Sequence, residues 1–108
     1  MASEMKIIEL QNTGEYQSLL KEPVTSGMRA GRVYLKPGEE CGEHTTGPHE
    51  ETLIFLTGTG TALIGPNKTP HKIGEGKISY IPPHTIHNIK NTGTVALTYI
   101  YCVAPVKE

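Results

Sequence analysis

The 108-residue chain is short of cysteine, of any excess of charge and of long apolar runs, and each shortage excludes something. Its two cysteines, Cys41 and Cys102, are too few for a disulfide framework and are not spaced as a paired zinc clasp, so they read as reduced thiols. Ten basic against eleven acidic residues leave a net charge of -1, with no basic stripe of the kind that neutralises phosphates, and nucleic acid is not expected as a partner. No stretch is long and apolar enough to span a bilayer, and the opening MASEMKIIELQNTGEY lacks the basic end and unbroken apolar run of a secretory signal. The expectation is a soluble cytoplasmic protein with no membrane partner. Also missing are a Ser-His-Asp arrangement, a phosphate-cradling glycine loop, a dinucleotide fingerprint, low-complexity segments and exact repeats.

What is present describes one small globular unit. The length allows a single core and no separate cofactor domain. The apolar share of 36% omits 12 glycines, and with them it reaches the level of an ordinary folded protein. Residues 1–26 read as an N-terminal strand or irregular segment packing on the rest: MKIIEL is expected as an edge strand, and Gln11 to Leu20 as a single helical turn or irregular chain. From residue 27 to 108 short runs rich in Val, Ile, Tyr, Thr and Leu are cut by Gly, Pro and Asn, as in RAGRVYL, ETLIFLTG, TGTALIG, KISYIP, PHTIHNIK and VALTYIYCV. That texture predicts an all-β, antiparallel fold closed as a barrel or jelly roll, because a small open sheet would leave long edges exposed.

Two stretches concentrate the chemistry, GEECGEHTTGPHEETLIFLTG from Gly38 to Gly58 and GKISYIPPHTIHNIKN from Gly76 to Asn91. Strand alternation puts His49 and Glu51 on one face with Leu53 and Phe55, which makes that face the interior. A carboxylate aimed at an interior is costly unless it is paired or coordinates a metal. His44 stands just upstream across the Thr45-Thr46-Gly47-Pro48 turn, and His87 shares a strand face with Ile89 and Asn91. Imidazole with carboxylate suits a divalent Fe, Mn, Ni, Co, Cu or Zn ion, and the spacing does not select among them. The competing reading for Glu51 is an ion pair with Arg29 or Arg32, and for His44 and His87 a plain polar lining.

These stretches resemble the two signature motifs of the cupin superfamily. The first runs Gly, five residues, His, one residue, His, three or four residues, Glu, six residues, Gly, and Gly38, His44, Glu51 and Gly58 fall on it. The second runs Gly, five residues, Pro, one residue, Gly, two residues, His, three residues, Asn, and Gly76, Pro82, His87 and Asn91 fall on it. The resemblance implies a double-stranded β-helix, a jelly-roll barrel in a single domain with the metal inside. Two positions depart from the motifs: Thr46 stands where the second histidine is usual, and His84 replaces the turn glycine. His49, on the face of Glu51, is the candidate to fill the corner left by Thr46, giving a metal set of His44, His49, Glu51 and His87.

Around that centre His84 and His71 are expected in exposed turns, Asn91 as a loop-closing side chain and Cys41 either at the entrance or as an inert thiol. In ALTYIYCV both strand faces are apolar, which suggests a sheet packed against a second subunit, and small cupins are commonly homodimers. Tyr99 and the inner-face tyrosines are candidates to hydrogen-bond a ligand, with Tyr34 and Tyr80 as further pocket walls. Glu51 would serve as ligand or general base, and Tyr99 as a second catalytic group. The expected function is a metalloenzyme acting on a small polar metabolite, of isomerase, decarboxylase or dioxygenase type. The alternative is a noncatalytic binding or sensor module, with or without metal.

Overall fold

The computed structural model describes residues 4–107, in which nine strands form two antiparallel sheets and no helix occurs. In chain order the strands are β1 (Gln17–Leu20), β2 (Arg29–Leu35), β3 (His44–Thr45), β4 (His49–Thr57), β5 (Thr59–Ile64), β6 (Thr69–Gly74), β7 (Ile78–Ile81), β8 (Ile86–Lys90) and β9 (Leu97–Pro105). One sheet has the order β1-β2-β9-β4-β7 and the other β3-β8-β5-β6. This is the expected all-β antiparallel jelly roll. No helix among the described residues is long and apolar enough to cross a membrane.

Alternation does most of the work. On β4 the residues Glu51, Leu53 and Phe55 are buried while Glu50 and Ile54 are exposed, so one face of the strand enters the core. Leu53 pairs with Tyr101 of β9 and with Ser79 of β7, which places those side chains on the same inner surface. Facing them from the other sheet are Ala62, Ile73 and Ile89, and Leu35, Ile81, Leu97 and Tyr99 complete the cluster. Each such aliphatic or aromatic side chain contributes about 1.5–3 kcal/mol relative to an exposed position.

The N-terminal segment departs from the sequence expectation. MKIIEL forms no strand, and Met5 and Ile7 are exposed. The strand comes later, at Gln17–Leu20, where β1 pairs with β2. The short apolar run lost to tertiary pairing, which is what supplies hydrogen bonds to an edge. Arg32, on the outer face of β2, donates from its guanidinium to the carbonyls of Thr13 (3.2 Å) and Glu15 (2.9 Å). The outer side of β2 is thus covered by the chain's own N-terminal segment, and Tyr34 lies there against Gly14 rather than in a pocket wall. His71, expected in a turn, is an exposed residue of strand β6.

Candidate metal centre

Three side chains from three strands converge at one end of the barrel. His44 on β3 pairs in register with His87 on β8, and their rings meet edge to face with centroids 4.1 Å apart. Glu51 arrives from β4 of the opposite sheet, with its Oε1 3.6 Å from Nε2 of His87. One ligand atom from each of His44, Glu51 and His87 falls within 4.8 Å of the others.

The tautomers follow from the backbone. Nδ1 of His44 donates to the carbonyl of Gly42 (2.8 Å), and Nδ1 of His87 donates to the carbonyl of Thr85 (3.1 Å), since a carbonyl can only accept. In the neutral rings Nε2 then carries the lone pair, the arrangement seen when a second group orients a metal-ligating imidazole. His87 is 1% exposed, and its Nε2 is buried without a hydrogen-bond partner. Burial lowers the pKa of His87, and burial raises that of Glu51 against the opposing charges of His44 and Arg29. The close His87–Glu51 contact is therefore not a charged pair held for its own sake, because burial disfavours both charges. An orphaned lone pair beside a desolvated carboxyl fits a bound cation, which would satisfy both at once.

Thr46 occupies the place of a further ligand without acting as one. Its hydroxyl donates to the carbonyl of Pro82 (2.7 Å) and accepts from the amide of Thr85 (3.0 Å), tying the first histidine stretch to the second. His49 stays outside the group. Its Nδ1 contacts the carbonyl of Thr46 (3.3 Å), and it lines a neighbouring cleft with Lys21, Glu22 and Arg29. Sharing a strand face with Glu51 is thus not enough to bring its ring into the group of His44, Glu51 and His87.

A cavity of ≈ 280 Å³ opens onto His44 and Glu51, with His87 buried behind them, and is lined also by Arg29, Val33, Cys41, Tyr101 and Val103. The guanidinium of Arg29 has no hydrogen-bond or ion-pair partner among the described residues, and its charge acts on both Glu51 and Tyr101. It is the cavity's cation rather than a partner of Glu51, and Arg32 is turned away to the N-terminal segment. Tyr101, whose pKa is pushed up to about 12 by burial and by its bond to Tyr16, presents its phenol at the wall. Tyr99 lies deeper, 3% exposed against Phe55, and does not line the cavity. Alternation along RAGRVYL and ALTYIYCV contained the signal for Arg29 and Tyr101. Nothing in the sequence pointed to Tyr16.

The other singled-out residues have structural roles. Asn91 is 2% exposed and closes its loop by donating to the carbonyls of Leu35 and Val95 (both 2.9 Å) while accepting from the amide of Gly93 (2.9 Å). Burial raises the pKa of Cys41, which lines the cavity as a thiol. Tyr80 is exposed and donates to Glu50 (2.9 Å) on the outer face.

Comparison with known proteins agrees with this fold. A family model described as a cupin domain, Cupin_2, matches residues 31–103. Protein SchB of Streptomyces halstedii is 28% identical over 95 residues, covering 85% of this chain and 67% of its own. Among solved structures, a predicted oxalate decarboxylase from Thermotoga maritima superposes with a TM-score of 0.77 at 25% identity, over 84% of this chain and 79% of that one. An RmlC-like cupin family protein with a double-stranded β-helix fold from Methanocaldococcus jannaschii reaches 0.80 at 23% identity, over 96% and 94%.

Proposed function

The chain belongs to the Cupin_2 cupin-domain family, and on that premise we propose that it is a metalloenzyme acting on a small anionic metabolite, with His44, Glu51 and His87 holding one divalent transition-metal ion. The observation that carries this reading is the buried, unpartnered Nε2 of His87 beside the desolvated carboxyl of Glu51. An Fe, Mn, Ni, Co, Cu or Zn ion bound there would supply Lewis acidity, or redox chemistry where the metal allows it, to a substrate oxygen. Arg29 binds and orients the substrate's negative charge from the cavity wall. Tyr101, protonated throughout the neutral range, donates a hydrogen bond to a substrate oxygen, and Val33 and Val103 exclude water from that side. Glu51 either stays a ligand or takes up a substrate proton at its carboxylate. The likeness to a predicted oxalate decarboxylase supports a small carboxylate as the substrate class, within an isomerase, decarboxylase or dioxygenase type of reaction.

The test begins with metal content. Protein purified without metal-affinity steps is expected to carry about one transition-metal ion per chain, and added metal to raise the thermal midpoint. His44→Ala and His87→Ala should abolish that rise, whereas His49→Ala should leave it in place. Metal far below one per chain, with no rise from any of the six ions, overturns the reading.

Thr46 favours a second reading. With its hydroxyl committed to Pro82 and Thr85, the ion has three protein ligands and no histidine in the usual fourth place. A noncatalytic small-molecule binding or sensor cupin follows from so lean a site, and ligand binding that survives chelation without product formation would identify it. Under either reading the chain works in the cytoplasm as a homodimer, paired through the outer face of β4 and β7 where Ile54 and Tyr80 are exposed.

A further inference from the structure

The two sheets part between β6 and β7. Each strand is the last of its own sheet, and the chain changes sheet in the turn from Gly74 to Lys77. There the amide of Phe55 donates to the carbonyl of Lys77 (3.0 Å) and that of Gly76 to the carbonyl of Phe55 (3.2 Å), which fixes β7 against β4 and leaves β6 on the far side of a gap. The gap is a cavity of ≈ 300 Å³ that shares no lining residue with the metal cavity. Its depth is apolar, with Phe55, Ile64 and Ile73 among the walls, and no acidic residue lines it among those described. Lys72 and Lys77 stand at its mouth, both exposed. Ser79 pairs in register with Leu53, so its side chain points inward, and its Oγ is buried with no hydrogen-bond partner.

An apolar hollow of this size would ordinarily be filled by its own side chains, and a buried hydroxyl ordinarily finds an acceptor. Here both requirements are open at one place, under two like charges. We infer that the seam between β6 and β7 is a second ligand site, for a small amphipathic monoanion whose apolar body enters between Phe55, Ile64 and Ile73, whose acidic head is held by Lys72 and Lys77, and whose oxygen accepts from Ser79 Oγ. The charge complementarity selects an anion over a neutral lipid, and the volume selects a small molecule over a peptide. The site is a separate cavity from the one at His44 and Glu51, since the two share no lining residue, although Ile64 and Ile81 of the seam pair in register with His87 and Glu51.

Calorimetric titration of the full chain with octanoate and with octan-1-ol tests this. Octanoate is expected to bind, and octan-1-ol to bind at least about tenfold more weakly, because the paired cations are lost as partners. The double variant Lys72→Gln, Lys77→Gln, which alters only exposed positions, should bring octanoate to the level of the alcohol, and Ser79→Ala should weaken both. Binding must persist in Glu51→Gln and in the presence of chelator. The inference is overturned if octanoate does not bind, if acid and alcohol bind alike, if the lysine variant changes nothing, or if Glu51→Gln abolishes binding and so assigns the ligand to the metal cavity. It is equally overturned if light scattering shows a dimer that Ile78→Lys dissociates and octanoate binds only to the dissociated form, since a second copy then covers the seam.

Discussion

Two imidazoles and one carboxylate converge at one end of the barrel, and the protonation of Glu51 and His87 is tied to stability. Glu51 has its folded pKa raised by burial, so its contribution is full below the unfolded carboxylate range and is lost as pH rises through the folded value. His87 has its pKa lowered by burial, so its contribution is full above the unfolded histidine range and is lost as pH falls through the folded value. Metal-free Glu51→Gln is therefore expected to melt higher than metal-free wild type at pH 8 while losing all metal-dependent stabilisation. Each kcal/mol relieved should raise the midpoint by about 4–8 °C, read by calorimetry in chelator. Unchanged melting of the metal-free variant would show that Glu51 is not desolvated. His44, Glu51 and His87 stood out because motif spacing selects all three and strand alternation sets the faces of Glu51 and His87. The ring position of His49 was not, because it depends on how the Thr46–Pro48 turn enters β4. Tyr101 at the cavity wall and Tyr99 behind it share a strand face, and only depth along the barrel separates them.

At the scale of elements, turns decide how the strands meet. Gly58, between β4 and β5, has φ of 80°, and a Cβ there would stand 2.3 Å from the carbonyl oxygen of Ala96. Gly58→Ala should cost on the order of 3 kcal/mol or more in urea unfolding, since both the backbone conformation and the close approach forbid the methyl. A loss below about 1 kcal/mol would mean that the β4–β5 connection relaxes freely. His84, at the place of the motif's turn glycine, has φ of 54°, which explains why a glycine is usual there. Strands β2, β4, β5, β7, β8 and β9 were visible as alternating runs bounded by Gly, Pro and Asn. Strand β1 was not, since QSLL has no strong alternation and becomes a strand only by pairing with β2. MKIIEL shows the converse, an apolar run without an edge to join.

For the whole molecule, the proposed homodimer has a direct check. Light scattering is expected to give twice the chain mass, and Ile54→Lys to give the monomer, because a charge placed in the centre of a buried sheet face cannot be desolvated. A wild-type monomer at micromolar concentration would remove the dimer. The apolar outer face of β9, which suggested a second subunit, borders residues of β2 already covered by the chain's own N-terminal segment through Arg32 and Tyr34. By itself the sequence determined the all-β jelly roll and the inward faces of its strands, and it singled out His44, Glu51 and His87, since period-two patterning and turn residues act locally. Only the tertiary structure decided that Thr46 latches the two histidine stretches, that the Arg29 side chain lines the cavity with no ion-pair partner among the described residues, and that the sheets part over Ser79. Those outcomes depend on distances between residues far apart in the chain, which no local pattern encodes.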